Sequence, residues 1–163
     1  MSKNSFKVLR PGINTTFQDL GRDNLYHVGL PFSGAIDKRN FLIANSLITN
    51  KEDDAVLEFA YQGPLLEFSG SQTSIVITGN VNFKIIKKDT SEIKGECYRT
   101  YNLNDKDCLD IISTEKSVYG YLSVKGGFQL NKFCNSYSTT VRAEVGSNDG
   151  KKIEIGQTII LNI

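Results

Sequence analysis

Short apolar segments rich in β-branched and aromatic residues recur along most of this sequence, separated by Gly, Asn, Asp or Ser. Such spacing favours many short strands over long helices. In residues 82–87 (NFKIIK) and 118–125 (VYGYLSVK), apolar and polar side chains partly alternate, as expected when one sheet face meets a core and the other meets water. The pattern predicts a mainly β protein, either a barrel or a sandwich. The predicted strands cover residues 6–9, 55–61, 64–68, 74–78, 82–87, 108–113, 118–125 and 158–163.

One segment departs from the strand pattern and predicts a single main helix over residues 38–49. Phe41, Ala44, Leu47 and Ile48 recur there at helical spacing. Asp37 stands immediately before the segment, where its side chain can accept a hydrogen bond from the unpaired amides of the first helical turn. We therefore expect Asp37 to be the N-cap of this helix.

Length and charge limit the classes of protein that the sequence can encode. With 163 residues, the chain is long enough for one domain with a real core and too short to promise two, so residues 1–163 are expected to form a single domain. Nineteen basic and eighteen acidic residues leave a dispersed net charge of +1, which offers no field for nucleic acid or an acidic membrane surface. The sequence lacks a secretory signal and an apolar run of the roughly 20 residues that cross a bilayer, which predicts a cytoplasmic protein without a membrane partner.

The cysteine and histidine content argues against a metal site. Cys97, Cys108 and Cys134 are widely spaced, odd in number and part of no C-x-x-C pair, so neither a disulfide framework nor a zinc site is expected. His27 is the only histidine, which makes a multi-histidine metal centre impossible. A Ser-His-Asp triad would have to use this residue. No metal is predicted.

The first candidate binding loop reads Gln18-Asp19-Leu20-Gly21-Arg22 and joins an amide, a carboxylate and a guanidinium. Gly21 permits a backbone turn that other residues resist. The planar fork of Arg22 suits a carboxylate or a ureido oxygen. A purely structural alternative is that Asp19 and Arg22 pair with each other and brace the loop, because charge pairs are as often structural as functional.

The second candidate loop, residues 33–37, runs directly into the predicted helix. Ser33 and Gly34 are small enough for the backbone to approach a ligand closely. The amides after Ser33 and those near residues 38–40 could stabilise a carbonyl oxygen or an anion. A glycine-containing turn before a helix is common, however, and Asp37 could be an ordinary helix cap.

Two further residues are candidates for the same site. His27 lies between the loops, and its titration near neutral pH suits general acid–base work, although a lone histidine is more often a surface or packing residue. Glu58 lies in an apolar strand and would be costly to bury unpaired. It therefore needs a partner such as Arg22 or backbone amides, and a structural ion pair is the alternative to a binding role.

The two loops and the strands after them resemble a known family. The segments that carry the resemblance read TTFQDLGR at 15–22, GLPFSGAID at 29–37, LE at 57–58, GPLLEF at 63–68 and YLSVKGGF at 121–128. They are similar to motifs of the biotin-dependent carboxyltransferase subunit family, also called allophanate hydrolase subunit 2. This family includes the C-type subunits of 5-oxoprolinase and the A/B part of the urea carboxylase transferase domain. The resemblance covers nearly the whole chain and is strongest over residues 11–68.

The resemblance implies a cyclophilin-like β-barrel that forms half of a carboxyltransferase A/B unit. Relatives in urea carboxylase move a carboxyl group from carboxybiotin to a urea nitrogen, and relatives in the 5-oxoprolinase complex take part in the ATP-dependent opening of 5-oxoproline. The implied cofactors are biotin, carried on a partner domain, and ATP at the level of the whole complex. The implied partners are a companion C/D-type subunit, the second half of the A/B unit and a small amide-like substrate.

The implied site combines the two loops with residues around them. Carboxyl transfer needs polar groups that hold a ureido carbonyl and stabilise negative charge on oxygen, which is electrostatic rather than covalent catalysis. The residues predicted to be catalytic are Arg22, Asp19 and His27. The residues predicted to bind substrate or biotin are Gln18, Ser33, Gly34, Asp37 and Glu58.

Two positions depart from the family pattern and favour a second hypothesis. Relatives usually carry Arg where this chain has Tyr119, and they read GSRST where this chain reads NSYST over residues 135–139. Members normally continue into a second β-rich half, so the chain corresponds to the N-terminal half and is expected to be inactive alone. The alternative is a non-catalytic interaction or regulatory module that binds a companion C/D-type subunit. A third possibility is a ligand-binding barrel without chemistry.

Overall fold

A computed structural model describes residues 3–162 of the chain as two antiparallel β-sheets and one α-helix. One sheet has six strands in the order β11-β1-β4-β9-β6-β7, and the other has five in the order β2-β3-β10-β5-β8. The helix α1 covers Lys38–Leu47. The strands are β1 Ser5–Arg10, β2 Thr16–Gln18, β3 Val56–Ala60, β4 Leu65–Ser69, β5 Gln72–Gly79, β6 Val81–Ile86, β7 Glu92–Lys94, β8 Thr100–Asn104, β9 Cys108–Thr114, β10 Tyr119–Val124 and β11 Thr158–Ile160.

The main hydrophobic core lies between the two sheets. Phe6 and Leu66 contribute to it from the six-stranded sheet, and Leu57 and Leu122 contribute from the five-stranded sheet, all with no solvent exposure. Alternate residues of a strand point to opposite faces. The apolar positions of each strand that face inward therefore account for the alternation seen in the sequence.

The helix covers the outer face of the five-stranded sheet. Phe41 packs with Val56 and Tyr121, while Ala44 packs with Val76. These strand residues alternate with those that point into the main core, so the five-stranded sheet is buried on both faces where α1 lies. The face under α1 holds the polar residues described below.

The prediction of a mainly β protein with one main helix is confirmed, but the two sheets of the predicted barrel are not closed into a continuous one. Within residues 3–162, no ladder joins an edge of one sheet to an edge of the other. Three of the edge strands, β2, β7 and β11, have only three residues each. Edges this short pair with one neighbour and end before they could reach the other sheet, so the architecture is two packed sheets.

Each predicted strand overlaps an observed one, with boundaries displaced by a few residues, and Ile163 lies outside the described residues. Local patterns did not reveal β2, β7 and β8, which all lie at sheet edges. An edge strand meets water along one side, so its sequence can be polar, as EIK in β7 and TYNLN in β8 are. The helix begins as predicted but ends at Leu47, two residues early, and Thr49 then takes a positive φ of 56°.

Among residues 3–162, no helix is long and apolar enough to span a membrane.

Leu122 provides a test of the core between the sheets, because it lies on the central strand of the five-stranded sheet and is fully buried. Leu122→Ala should lower the free energy of unfolding by about 2–5 kcal/mol, since it removes buried methyl groups and leaves a cavity. Urea denaturation followed by fluorescence or circular dichroism measures the change. Ile112→Ala, at a 38% exposed position of β9, should cost much less, and equal losses in the two variants would contradict this packing.

Candidate functional site

The two polar loops lie against each other beyond the end of β2. The backbone N–H of Arg22 donates to the carbonyl of Phe32 at 2.8 Å, and that of Ala35 donates to the carbonyl of Asp19 at 2.9 Å. Gly21 and Gly34 stand at the closest approach, where a Cβ on either would come within 3 Å of backbone atoms of the other loop. Both glycines also have positive φ. The loops therefore form one unit, and glycine is required on both sides of it.

The carboxylate of Asp19 holds a distant segment of the chain, residues 136–138, against these loops. Its Oδ1 accepts from the hydroxyls of Ser136 and Ser138 at 2.6 Å each, and from the Gly21 amide at 2.8 Å. Its Oδ2 accepts from the amide of Tyr137 at 2.6 Å. Asp19 is 4% exposed, so its charge is balanced by hydrogen-bond donors and not by water. We call this arrangement the Asp19 clamp.

Arg22 strengthens the same connection from the other side and does not form a salt bridge with Asp19. Its guanidinium donates to the carbonyl of Ser138 at 2.5 Å and to Oγ1 of Thr140 at 2.6 Å. Arg22 is 2% exposed, and burial lowers its pKa from the ordinary value, an effect that the nearby Asp19 carboxylate partly offsets. The predicted Asp19–Arg22 pair is thus replaced by two side chains that both bind the 136–140 segment.

A cavity of about 260 Å³ opens beside the clamp, and we call it the Glu58 cavity. A water molecule takes about 30 Å³ of liquid, so this volume suits a small molecule. The predicted binding residues Gln18, Ser33, Gly34 and Glu58 all line it. Other lining residues include Tyr119, Thr140 and Arg142. Neither Asp19 nor Arg22 lines it.

Gln18 presents an unpaired acceptor at this place. Its Nε2 donates to the carbonyl of Thr139 and to Oγ1 of Thr16, both at 2.9 Å. A carbonyl can only accept, so this contact fixes the orientation of the amide. Oε1 is buried and has no hydrogen-bond partner, although the residue is only 6% exposed. A buried polar atom without a partner is costly and marks a place where water or a ligand is expected.

Glu58 presents a second acceptor from the face of the sheet under α1. Its Oε2 accepts from the amide of Ile36 and from the hydroxyl of Tyr121, both at 2.8 Å. Within the described part of the chain, Oε1 accepts no hydrogen bond. Glu58 is 5% exposed, and burial raises its pKa above the ordinary value. The sequence predicted that Glu58 would pair with backbone amides or with Arg22. The backbone amide of Ile36 is its partner, and Arg22 is not.

Tyr121 connects Glu58 to the start of the helix. Its hydroxyl accepts from the amide of Asp37 at 2.7 Å while it donates to Glu58. Burial, and after it the charge of Glu58, raises the pKa of Tyr121, so the hydroxyl stays protonated and keeps this role. In the strand register Tyr121 faces Glu58 on one side and Thr78 on the other, and Glu58 in turn faces Thr16. A polar row thus crosses four strands.

The structure assigns different positions to the remaining predicted residues. Asp37 is the N-cap of α1, with Oδ1 3.1 Å from the amide of Asn40. Ser33 has a positive φ of 57°, and its hydroxyl lies 2.5 Å from that of Thr140. His27 lies in an exposed 3₁₀ turn, forms no hydrogen bond within residues 3–162 and does not line the Glu58 cavity. It is the one predicted site residue that the loops do not enclose.

Among the amides after Ser33 that the sequence predicted to stabilise a ligand, those of residues 35–37 already donate to acceptors within the protein. The N–H groups of Ala35, Ile36 and Asp37 donate to Asp19, Glu58 and Tyr121 respectively. The amides of Ser33 and Gly34 have no partner in the described structure. Two of the amides of residues 35–37 hold Glu58 in place: the Ile36 amide donates to it directly, and the Asp37 amide donates to Tyr121, which donates to Glu58.

Sequence reasoning did not assign Tyr121, the 136–140 segment or Arg142 to the site. Ser136 and Ser138 are fully buried, and their hydroxyls face Asp19. The family resemblance around residues 121 and 135–139 was the only available signal. The contacts of these residues with positions more than 60 residues away are not visible in local patterns.

The model of the family described as carboxyltransferase domain, subdomain A and B, matches residues 28–162. The chain belongs to this carboxyltransferase A/B family. It is 31% identical over 144 residues to the C-type subunit of 5-oxoprolinase from Haemophilus influenzae and 28% identical over 164 residues to urea amidolyase of Lachancea kluyveri. The crystal structure of Kluyveromyces lactis urea carboxylase superposes with a TM-score of 0.90 at 28% identity and covers the whole chain.

The carboxyltransferase A/B chain spans only part of each of these relatives. The matches cover 88% of it and 45% of the Haemophilus protein, and 97% of it and 8% of the Lachancea amidolyase. For the Kluyveromyces structure, the share of that chain is 14%. The whole of this chain therefore shares its fold with one portion of these larger proteins.

Removal of the Asp19 clamp should release residues 136–140. Asp19→Ala leaves buried hydroxyl and amide donors without their charged acceptor, so the free energy of unfolding should fall by at least about 1.5–3 kcal/mol. Hydrogen exchange should rise most at residues 136–140. Asp23→Ala is the matched control, because Asp23 lies on the same loop, is exposed and forms no hydrogen bond within the described residues. Unchanged protection of residues 136–140 in Asp19→Ala would contradict the clamp.

The buried Glu58 should give the protein a measurable pH dependence. Its raised folded pKa means that the native state retains this proton more tightly than the unfolded state, so stability is lost as pH rises through that pKa. Glu58→Gln keeps an oxygen for Ile36 and Tyr121 but removes the charge. We therefore expect the melting temperature of Glu58→Gln, minus that of the unmodified chain, to increase from pH 4 to pH 8. Thermal unfolding at a series of pH values measures this difference.

The control is Glu154→Gln, at an exposed carboxylate far along the chain, which corrects for the general effect of net charge. A stability difference for Glu58→Gln that does not change with pH, or that moves the other way, would show that Glu58 is not held in a desolvated environment.

Proposed function

We propose that this chain is half of a carboxyltransferase or 5-oxoprolinase-type subunit that acts on a small amide-like substrate, urea or 5-oxoproline, together with partner subunits. The observation that carries the proposal is the Glu58 cavity. Gln18 and Glu58 line it, and within residues 3–162 each has one side-chain oxygen, Oε1, that accepts no hydrogen bond. Urea has enough N–H groups to donate to both oxygens, and the single lactam N–H of 5-oxoproline could donate to one of them.

The cavity would act by orientation and electrostatics. Glu58 would accept from a substrate N–H and hold the nitrogen in place, since its carboxylate is already fixed by Ile36 and Tyr121. Burial raises the pKa of Glu58, so this carboxylate would accept a proton more readily than an exposed one at the same pH. Asp19 and Arg22, predicted to be catalytic, enter this proposal as positioning residues, because they fix the wall of the cavity without lining it.

A biotin carried by a partner domain would supply the transferable carboxyl group. The acceptors of this site also fit a ureido group, because the unpaired oxygens of Gln18 and Glu58 could accept from its N–H when substrate is absent. ATP would act elsewhere in the whole complex. The three cysteines are all unpaired, which supports our placement of the protein in the reducing cytoplasm.

Partner subunits would complete the site, because exposed apolar residues lie in the cavity wall, at Ile36, and in the 3₁₀ turn Tyr26–Val28, whose first residue lines the adjoining cavity. Tyr26 and Val28 are 70% and 60% exposed, and Ile36 is 65% exposed. The Haemophilus relative is named as one subunit of a 5-oxoprolinase. We propose that this side of the molecule is covered by the second half of the A/B unit and by a companion C/D-type subunit.

The alternative of a non-catalytic interaction or regulatory module is favoured by one feature of the cavity wall. Tyr119 lines the cavity at a position where the sequence comparison leads us to expect arginine. Tyr137, at the other such position, has its ring beneath the Lys132 ammonium at 4.8 Å. An arginine lost from the wall would weaken the binding of anionic groups while leaving the apolar surface able to hold a companion protein.

Reconstitution with partner subunits distinguishes the two functions. The chain alone should show no turnover, and addition of the companion subunits should give ATP hydrolysis that depends on urea or 5-oxoproline. Glu58→Gln should then lower kcat/KM at least about tenfold without loss of assembly, the scale of one charged hydrogen bond. Turnover by the isolated chain would refute the proposal, and assembly without any turnover would favour the interaction module.

A further inference from the structure

Arg142 lines the Glu58 cavity and has no ionic partner within residues 3–162. It lines this cavity and also a neighbouring one of about 490 Å³, here called the Tyr26 cavity, which is lined further by Tyr26, Leu30 and Pro31. Arg142 is exposed and, within residues 3–162, forms neither a hydrogen bond nor a salt bridge. Thr140 and Arg142 line both cavities, so Arg142 lies where the two cavities adjoin.

The position of Arg142 depends on the Asp19 clamp. Arg142 lies in the 3₁₀ turn Val141–Ala143, directly after Thr140, whose hydroxyl contacts both Arg22 and Ser33. The turn is closed by the amide of Ala143, which donates to the carbonyl of Thr140 at 3.1 Å. The long side chain of Arg142 thus extends into water, but its backbone is fixed relative to the acceptors of the cavity.

The cavity has opposite polarity at its two sides. Gln18, which is only 6% exposed, has an unpaired oxygen, and Glu58 has one oxygen without a donor. These atoms accept hydrogen bonds, whereas the guanidinium of Arg142 can only donate and is always charged. A neutral molecule such as urea would satisfy the acceptors but could offer Arg142 only a neutral carbonyl oxygen, which forms weaker hydrogen bonds with a guanidinium than a carboxylate does. A molecule with an amide N–H and a carboxylate would satisfy both sides.

We propose that Arg142 is a specificity-determining residue that selects small amides or lactams bearing a carboxylate over neutral ones. This inference rests on the proposed function and narrows its substrate class. The planar fork of arginine binds a carboxylate through two parallel hydrogen bonds, which neither a neutral carbonyl nor an amide can replace. Tyr119, the aromatic neighbour in the same wall, has no such charge to offer.

The test uses the full 163-residue chain and three probes: 5-oxoproline, 2-pyrrolidinone, which has the same ring without the carboxylate, and urea. Dissociation constants are measured by NMR titration for the unmodified chain, Arg142→Gln and the control Arg39→Gln. Arg39 is an exposed arginine on α1 that lines neither cavity. The unmodified chain should bind 5-oxoproline at least about tenfold more tightly than 2-pyrrolidinone.

Arg142→Gln should bring the affinities for the two lactams to within about twofold by weakening 5-oxoproline alone, and Arg39→Gln should leave the difference intact. Equal binding of the two lactams by the unmodified chain would overturn the inference. A preference that survives Arg142→Gln, or the absence of binding by either lactam, would also overturn it.

Urea binding without a response to 5-oxoproline would refute the carboxylate preference and leave the proposed function standing. A carboxylate preference in a chain whose reconstituted complex shows no turnover would refute the proposed function alone.

Discussion

The Asp19 carboxylate and its four hydrogen-bond donors hold together the parts of this molecule that form the candidate site. Without them, residues 136–140 would lose their carboxylate anchor on the loops, and the position of Arg142 relative to Glu58 would be less firmly fixed. Arg22 and Gln18 add their own bonds to the same segment. A buried carboxylate is stable only when its lone pairs are filled, so the segment is held by the same interactions that make the burial of Asp19 possible.

The five-stranded sheet positions the second element of the site. Its register aligns Thr16, Glu58, Tyr121 and Thr78 in a row under the helix, and the pleat keeps this row apart from the apolar core on the other face. Most of these polar atoms are paired with each other or with backbone amides. The oxygens left over belong to Gln18 and Glu58, beside a cavity, which is the arrangement expected of a binding site with fixed acceptors.

Membership of the carboxyltransferase A/B family and the geometry of the cavity support each other, but they concern different scales. The family match and the superposition on urea carboxylase describe a fold that is part of larger proteins. The cavity shows the chemical groups that this portion offers: a wall with hydrogen-bond acceptors, and the guanidinium of Arg142, which has no partner within residues 3–162. An open wall of this kind agrees with a site completed by other domains, since pockets at domain interfaces are formed from both sides.

The sequence by itself determined the features that depend on local chemistry. The β-rich pattern, the helix with its Asp37 cap and the two glycine-bearing loops follow from periodicity, capping and turn preferences, which act over a few residues. The sequence also indicated that Gln18, Ser33, Gly34 and Glu58 share a site, through the family resemblance and not through their spacing.

Only the tertiary structure decided the long-range partners. The edge strands β2, β7 and β8 are three to five residues long, and each pairs with a single neighbouring strand that supplies its hydrogen bonds. Asp19 and Arg22 bind Ser138 and not each other, and Glu58 meets Tyr121 across a strand register that local patterns do not encode. The physical reason is that a buried polar group takes whichever donor the packing of distant segments brings to it, and sequence spacing does not specify that donor.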